Sequence, residues 1–147
     1  MQEIEDIQTE IGILLTGMIP VPWEKICLYA ECDNNSVSSW YAFKETKTGI
    51  ICTQEFFWER YKSYPMSRRD ITINLSNLIR ALYKSYITEF GESKKWSTMF
   101  YTVKSDFSVN INFEYEMPKG DYIEIHHSVF KRFFGSSYEY IKGKYPY

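Results

Sequence analysis

Apolar side chains recur at three- and four-residue steps through Ile4, Ile7, Ile11, Leu14, Leu15 and Met18, while Glu3, Glu5, Asp6 and Glu10 occupy other positions. That period predicts an amphipathic helix over residues 2–18, its acidic first turns suited to the positive end of the helix dipole. Gly12 lowers its intrinsic propensity, and Gly17 sits where a C-terminal cap is expected. Pro20 and Pro22 lack backbone donors and push the residues before them out of the α region, so the helix stops ahead of them. From Trp23 to Cys32 the pattern changes to β-prone residues on both faces, which predicts a strand covered at least partly on each side. Asp33-Asn34-Asn35-Ser36 is a turn by composition. Val37 to Lys44 follows as the hairpin partner, with Val37, Ser39, Tyr41 and Phe43 on one face and Ser38, Trp40, Ala42 and Lys44 on the other. Ile50 to Thr53 completes a three-strand meander.

Residues 54–70 carry Phe56, Phe57, Trp58, Tyr61 and Tyr64 ahead of Pro65, Arg68 and Arg69, and read as a loop with one helical turn. Leu75, Leu78, Ile79, Leu82, Tyr83, Tyr86, Ile87 and Phe90 then give the cleanest helical period in the chain, with Asn74 as N-cap and Gly91 as C-cap. Trp96 to Lys104 and Phe107 to Glu116 flank Ser105-Asp106 and predict a hairpin with a two-residue turn. In its second strand Phe107, Val109, Ile111, Phe113 and Tyr115 alternate with Ser108, Asn110, Asn112, Glu114 and Glu116, so one face is buried beneath helices and the other is at least partly wet. After the break at Met117 to Asp121, the segment from Tyr122 to Phe134 reads as helical and closes at Gly135. A Tyr-rich tail runs from Ser136 to Tyr147. The order is α+β: an antiparallel sheet of about five strands, a meander plus a hairpin, with helices packed mainly on one face, in a single domain over 1–147.

Composition changes this picture in two respects. Aromatic residues make up 18% of the 147, enough to serve both a core and a binding face. The net charge of −2 argues against a nucleic-acid footprint over the whole chain, but it divides unevenly, −6 over residues 1–60 and +4 over 61–147. An acidic half suits a basic partner. Cys27, Cys32 and Cys52 form an odd set behind an acidic, amphipathic N-terminus, which points to reduced thiols in the cytosol, and no apolar run approaches the length of a membrane span.

Catalytic chemistry finds no foothold. His126 and His127 are adjacent, so on a helix they diverge by about 100° and cannot form an i,i+4 metal pair. Cys27 and Cys32, five apart in a strand, point to opposite faces. There is no Gly-rich phosphate loop and no Gly-x-Ser-x-Gly elbow. Glu114 and Glu116 share a strand face, but carboxylates on a wet face are usually solvation and otherwise an edge facing a partner. No catalytic residue, metal or cofactor is expected. Two other uses stay open: a ligand-binding or enzymatic domain with the aromatic 54–64 loop as a pocket wall, and nucleic-acid binding through Arg68 and Arg69, which the net acidity disfavours.

The helix that ends in Met18-Ile19-Pro20 and gives way to Trp23-Glu24-Lys25 resembles the start of the YezG-type immunity proteins, antitoxins of LXG and type VII-secreted nuclease toxins. Trp96-Ser97-Thr98, the Phe-x-Tyr of Phe113 and Tyr115, and Phe134-Gly135 resemble later landmarks of that family in the same order, over nearly the whole chain. Residues 54–74 depart from it, and a helix with Arg80 and Lys84 replaces the family's Asp- and Glu-rich central helix. The resemblance implies a cytosolic protein that binds the C-terminal nuclease domain of a cognate polymorphic toxin and neutralises it, with no direct contact to nucleic acid or membrane. On that reading Glu31, Asp33, Glu114 and Glu116 contribute to toxin contact, and Trp40 and Tyr41 are aromatic anchors. Oligomeric state is left open.

Overall fold

The computed structural model describes residues 2–62, 65 and 67–135; Tyr64 and the tail from Ser136 to Tyr147 lie outside the described residues. Ten-residue β1 (Trp23–Cys32) is the middle of the sheet, paired on one side with β2 (Val37–Glu45) and on the other with β4 (Thr98–Lys104). β3 (Ile51–Thr53) extends the sheet beyond β2, and β5 (Val109–Glu114) beyond β4, giving the antiparallel order β3-β2-β1-β4-β5. The fold is α+β, as expected.

Helices α1 (Gln2–Met18) and α3 (Arg68–Phe90) lie on the first face of this sheet. Ile4, Ile7, Ile11 and Leu15 of α1 and Ile71, Leu75, Ile79 and Leu82 of α3 are buried against Ile26, Leu28, Tyr101 and Met99, the side chains that alternate toward that face. The second face is covered in part by α4 (Tyr122–Phe134), whose Val129, Phe130 and Phe133 meet Cys27, Tyr29, Ala42 and Phe100. Burial of both faces of β1 is why its sequence lacks a simple alternation.

Four local expectations need correction. α1 spans Gln2–Met18 as its period predicts, but Gly17 lies inside it and is not its C-terminal cap. Residues 54–60 are not a loop but the helix α2 (Gln54–Arg60), which puts Phe57 into the first core. α3 begins at Arg68 with Ser67 as N-cap, its hydroxyl accepting from the Asp70 N–H at 3.2 Å; Asn74 lies inside the helix. The polar run around Ile71 hides the fact that Ile71 extends the Leu75 stripe by one further turn. The β4–β5 turn has three residues, because Lys104 still pairs with Ser108. Phe107 closes it in the left-handed region at φ 66, stacked edge-on against Trp23 at 5.8 Å, with Asp106 accepting from the Ser108 N–H.

Candidate functional site

Strand alternation and register determine what the second face presents. Ser38, Glu31, Thr98 and Glu114 stand in one row across β2, β1, β4 and β5. Two rows on are Ala42, Cys27, Thr102 and Asn110, and the last row holds Lys44, Lys25, Lys104 and, across the turn, Ser108. The face therefore runs from an acidic end to a basic end. This gradient is not the uneven charge of the two halves of the sequence, since Lys25 and Lys44 come from the acidic half and Glu114 from the basic one.

Several predicted residues meet at the acidic end. The Tyr29 hydroxyl donates to Glu31 Oε2 at 2.6 Å; burial and this carboxylate push the phenol up, so it stays a donor. Asp33 Oδ1 accepts from the Asn35 and Ser36 N–H groups at 2.7 and 2.8 Å, which holds the hairpin turn and draws its carboxyl below the ordinary range. Glu114 and Glu116 line a cleft of about 350 Å³ between the end of β5 and the first turns of α4, together with Glu124, Lys119 and Arg132. Arg132 Nη1 donates to Glu114 Oε2 at 2.9 Å and its guanidinium lies 3.9 Å over the Phe100 ring, so Glu114 is already partly neutralised. Tyr29, Thr98, Glu124 and Arg132 were not singled out from sequence, since it takes the pairing of β1 with β4, strands more than sixty residues apart, and the packing of α4 over that face to bring them here.

The two aromatic anchors separate. Trp40 is half-buried on the second face, stacked on Tyr29 at 5.7 Å and donating through Nε1 to the Tyr122 hydroxyl at 3.0 Å. Tyr41 points the other way, 2% exposed and edge-on to Phe57 at 6.2 Å. It is a core residue and presents no surface to a partner. Neighbouring strand residues face opposite sides of the sheet, so Trp40 and Tyr41 cannot serve one surface.

The aromatic stretch 54–61 does border a recess of about 400 Å³, lined by Arg60 and Tyr61 with Val21, Pro22, Glu45, Lys47 and Thr48. Its polar groups are committed to one another. Arg60 donates to Glu45 through Nε at 2.5 Å and Nη2 at 2.8 Å, and the Tyr61 and Thr48 hydroxyls donate to the same carboxylate. Burial pushes the Glu45 carboxyl up, but these donors outweigh it and hold it below its ordinary value. Cys27 and Cys32 lie in cores on opposite faces, as their spacing predicts. Among the described residues no group of three His, Cys, Asp or Glu side chains is placed to hold a metal ion, and no helix is long and apolar enough to cross a membrane.

No curated protein matches the sequence. The family model described as Immunity protein YezG-like matches residues 4–143, which takes in both helix layers, the whole sheet and the acidic row. The chain belongs to the YezG-like immunity protein family.

Proposed function

We propose that this immunity protein neutralises the nuclease domain of a cognate toxin in the cytosol of the producing cell by setting the acidic end of its second sheet face against that domain's basic substrate groove. The observation that carries the reading is the Glu31-Thr98-Glu114 row. With Asp33, Glu116 and Glu124 it concentrates carboxylates from four separate segments at one end of a rigid sheet. Glu31 and Glu114, fixed on strands, meet a partner with less loss of rotamer freedom than side chains on loops. Trp40, held between Tyr29 and Tyr122, supplies an aromatic shoulder next to the same end. Carboxylates gathered in this way outnumber the Lys119 and Arg132 cations beside them, and a field of net negative sign accelerates encounter with a basic partner by about 10-fold or more at low salt. The protein itself carries out no reaction in this role.

The test combines Glu31→Lys, Glu114→Lys and Glu116→Lys with Asp33→Asn, the last chosen because an amide oxygen still accepts the two turn N–H groups. The assay partner is the toxin nuclease domain that this chain protects against, to be sought among the genes beside its own. Association should slow at least about tenfold at low ionic strength and lose most of its salt dependence, and cells co-producing the toxin should no longer survive. Unchanged protection by a variant with wild-type circular dichroism would reject the acidic surface.

A further inference from the structure

Among the described residues no strand lies on the outer side of β5. The Glu114 and Ser108 carbonyls accept from Ser97 and Lys104, so even-numbered residues of β5 turn their main-chain groups toward β4. Alternation then turns the N–H and C=O groups of Val109, Ile111 and Phe113 outward, with their side chains on the first face. Edge strands are ordinarily blunted by lysine, proline, a bulge or shortness. β3, at the opposite edge, is only three residues long and runs straight into α2. β5 has none of these protections: from Val109 to Phe113 it carries no charge and no proline, and its ladder to β4 is regular. Beside it the surface is apolar, with Ile13 65%, Phe107 68% and Val109 48% exposed along a groove of about 770 Å³ between α1 and β5.

The residues of this edge fit their own copy. An antiparallel pairing centred on Ile111 sets Ile111 opposite Ile111, Val109 opposite Phe113, Asn110 opposite Asn112 and Ser108 opposite Glu114. The charged rows then align. The acidic row Glu31-Thr98-Glu114 of one copy continues into Ser108, Lys104, Lys25 and Lys44 of the other, and the two-fold repeats this at the other end. Three lysines side by side across β2, β1 and β4 repel one another within a single chain. Lys25 reaches the Phe133 carbonyl and Lys44 lies 3.4 Å from Glu24, whereas Lys104 at the β5 side is exposed. In the pair, Lys104 would stand two strand spacings from Glu114 of the second copy, about 10 Å between backbones, inside the reach of the two side chains.

We propose that, in the absence of toxin, this chain forms a two-fold dimer in which β5 pairs with β5 of a second copy about Ile111, joining two five-stranded sheets into one. Such an interface is isologous and closes on itself, so it leaves no open edge for further addition. Glu114 belongs both to this seam and to the proposed toxin surface, so the dimer is the form free of toxin.

Sedimentation equilibrium of the purified full chain over about 1–200 μM tests the pairing. Wild type should approach twice the monomer mass. Ile111→Pro should be monomeric with unchanged circular dichroism, because the lost N–H is the one at the seam and the β4 ladder does not use it. Lys104→Glu, an exposed change, provides a second measure should the proline variant not fold. It should raise the dimer Kd at least about tenfold at low salt, with the difference shrinking as salt is added. A monomeric wild type at 200 μM, or a dimer insensitive to both substitutions, would overturn the proposal. So would a monomeric wild type whose Ile111→Pro variant loses toxin protection, since the edge would then receive a strand of the toxin.

Discussion

Gly12 is the position where an ordinary helix argument and the structure give opposite answers. An exposed helix interior gains about 1 kcal/mol when alanine replaces glycine. Here a Cβ built on Gly12 would stand 2.7 Å from the Tyr101 hydroxyl oxygen. Tyr101 is fully buried on β4, and that hydroxyl donates to the Gln8 carbonyl of α1 at 2.7 Å. The ring cannot swing aside without disturbing the first core, so alanine must either lift α1 or break the bond. Overpacking costs about 1–3 kcal/mol, and a lost hydrogen bond about 1 kcal/mol. Set against the propensity gain, Gly12→Ala should destabilise the protein by about 1–2 kcal/mol in urea unfolding. Tyr101→Phe removes the obstructing oxygen. The double variant should therefore be no less stable than Tyr101→Phe alone, giving a coupling of about 2 kcal/mol in the cycle. A Gly12→Ala protein more stable than wild type, with no coupling to position 101, would refute the close-approach argument.

His126 is 1% exposed on α4 against Trp40 and Tyr122, and burial pushes its imidazole down to about 4, with Glu55 acting to raise it and His127 to lower it. Between pH 6.5 and 4 the unfolded chain takes up a proton that the folded chain does not, so stability should fall as pH drops through that window. The loss should be about 2 kcal/mol at pH 5, and His126→Phe should remove most of that slope in unfolding curves at pH 7.5 and 5. Glu45→Gln should cost about 2 kcal/mol by denaturant titration, because it leaves the partly buried Arg60 without its bidentate partner; a change below about 0.5 kcal/mol would deny α2 this tether. Burial pushes Cys27 and Cys32 up to about 12 and raises Cys52 as well. All three thiols should therefore react with a disulfide reagent only at the rate of unfolding, and fast labelling of any one in native buffer would contradict its position.

The parts of the fold visible in the sequence were those with a single period. Ile4 to Met18 and Leu75 to Phe90 each carry one stripe, and β5 alternates without interruption, so two helices and a strand could be read directly. The expectation that the apolar face of that strand is buried fails at Phe107, Val109 and Tyr115, which are exposed, Phe107 and Tyr115 lying outside the strand. Where a segment serves two demands the period blurs. Residues 54–61 put Phe57 into the core with Trp58 packed against it and set Arg60 and Tyr61 onto Glu45, and the helix formed by 54–60 cannot be told from an aromatic loop. The carboxylates of the candidate site were visible one at a time. Their meeting was not, because it depends on the antiparallel pairing of β1 with β4, a long-range register that no local pattern encodes. Alternation separates Trp40 from Tyr41, but which of their faces carries the first core depends on where α1 and α3 pack, which the strand's own pattern does not say.

The central position of β1 has a consequence during synthesis. Its two partners are made at very different times. β2 follows within a few residues, but the other long edge of β1, flanked by side chains destined for burial on both faces, has no neighbour until Lys104 has been added, about seventy residues later. At 5–20 residues per second that edge stays open for roughly 4–14 s on the ribosome. An immunity protein is of use only once folded, so the wait for β4 sets a minimum delay between translation and protection. Fragments ending at Gly91 would carry the same open edge permanently and should aggregate, while adding a separate 92–147 chain should supply the missing strand and restore a soluble fold.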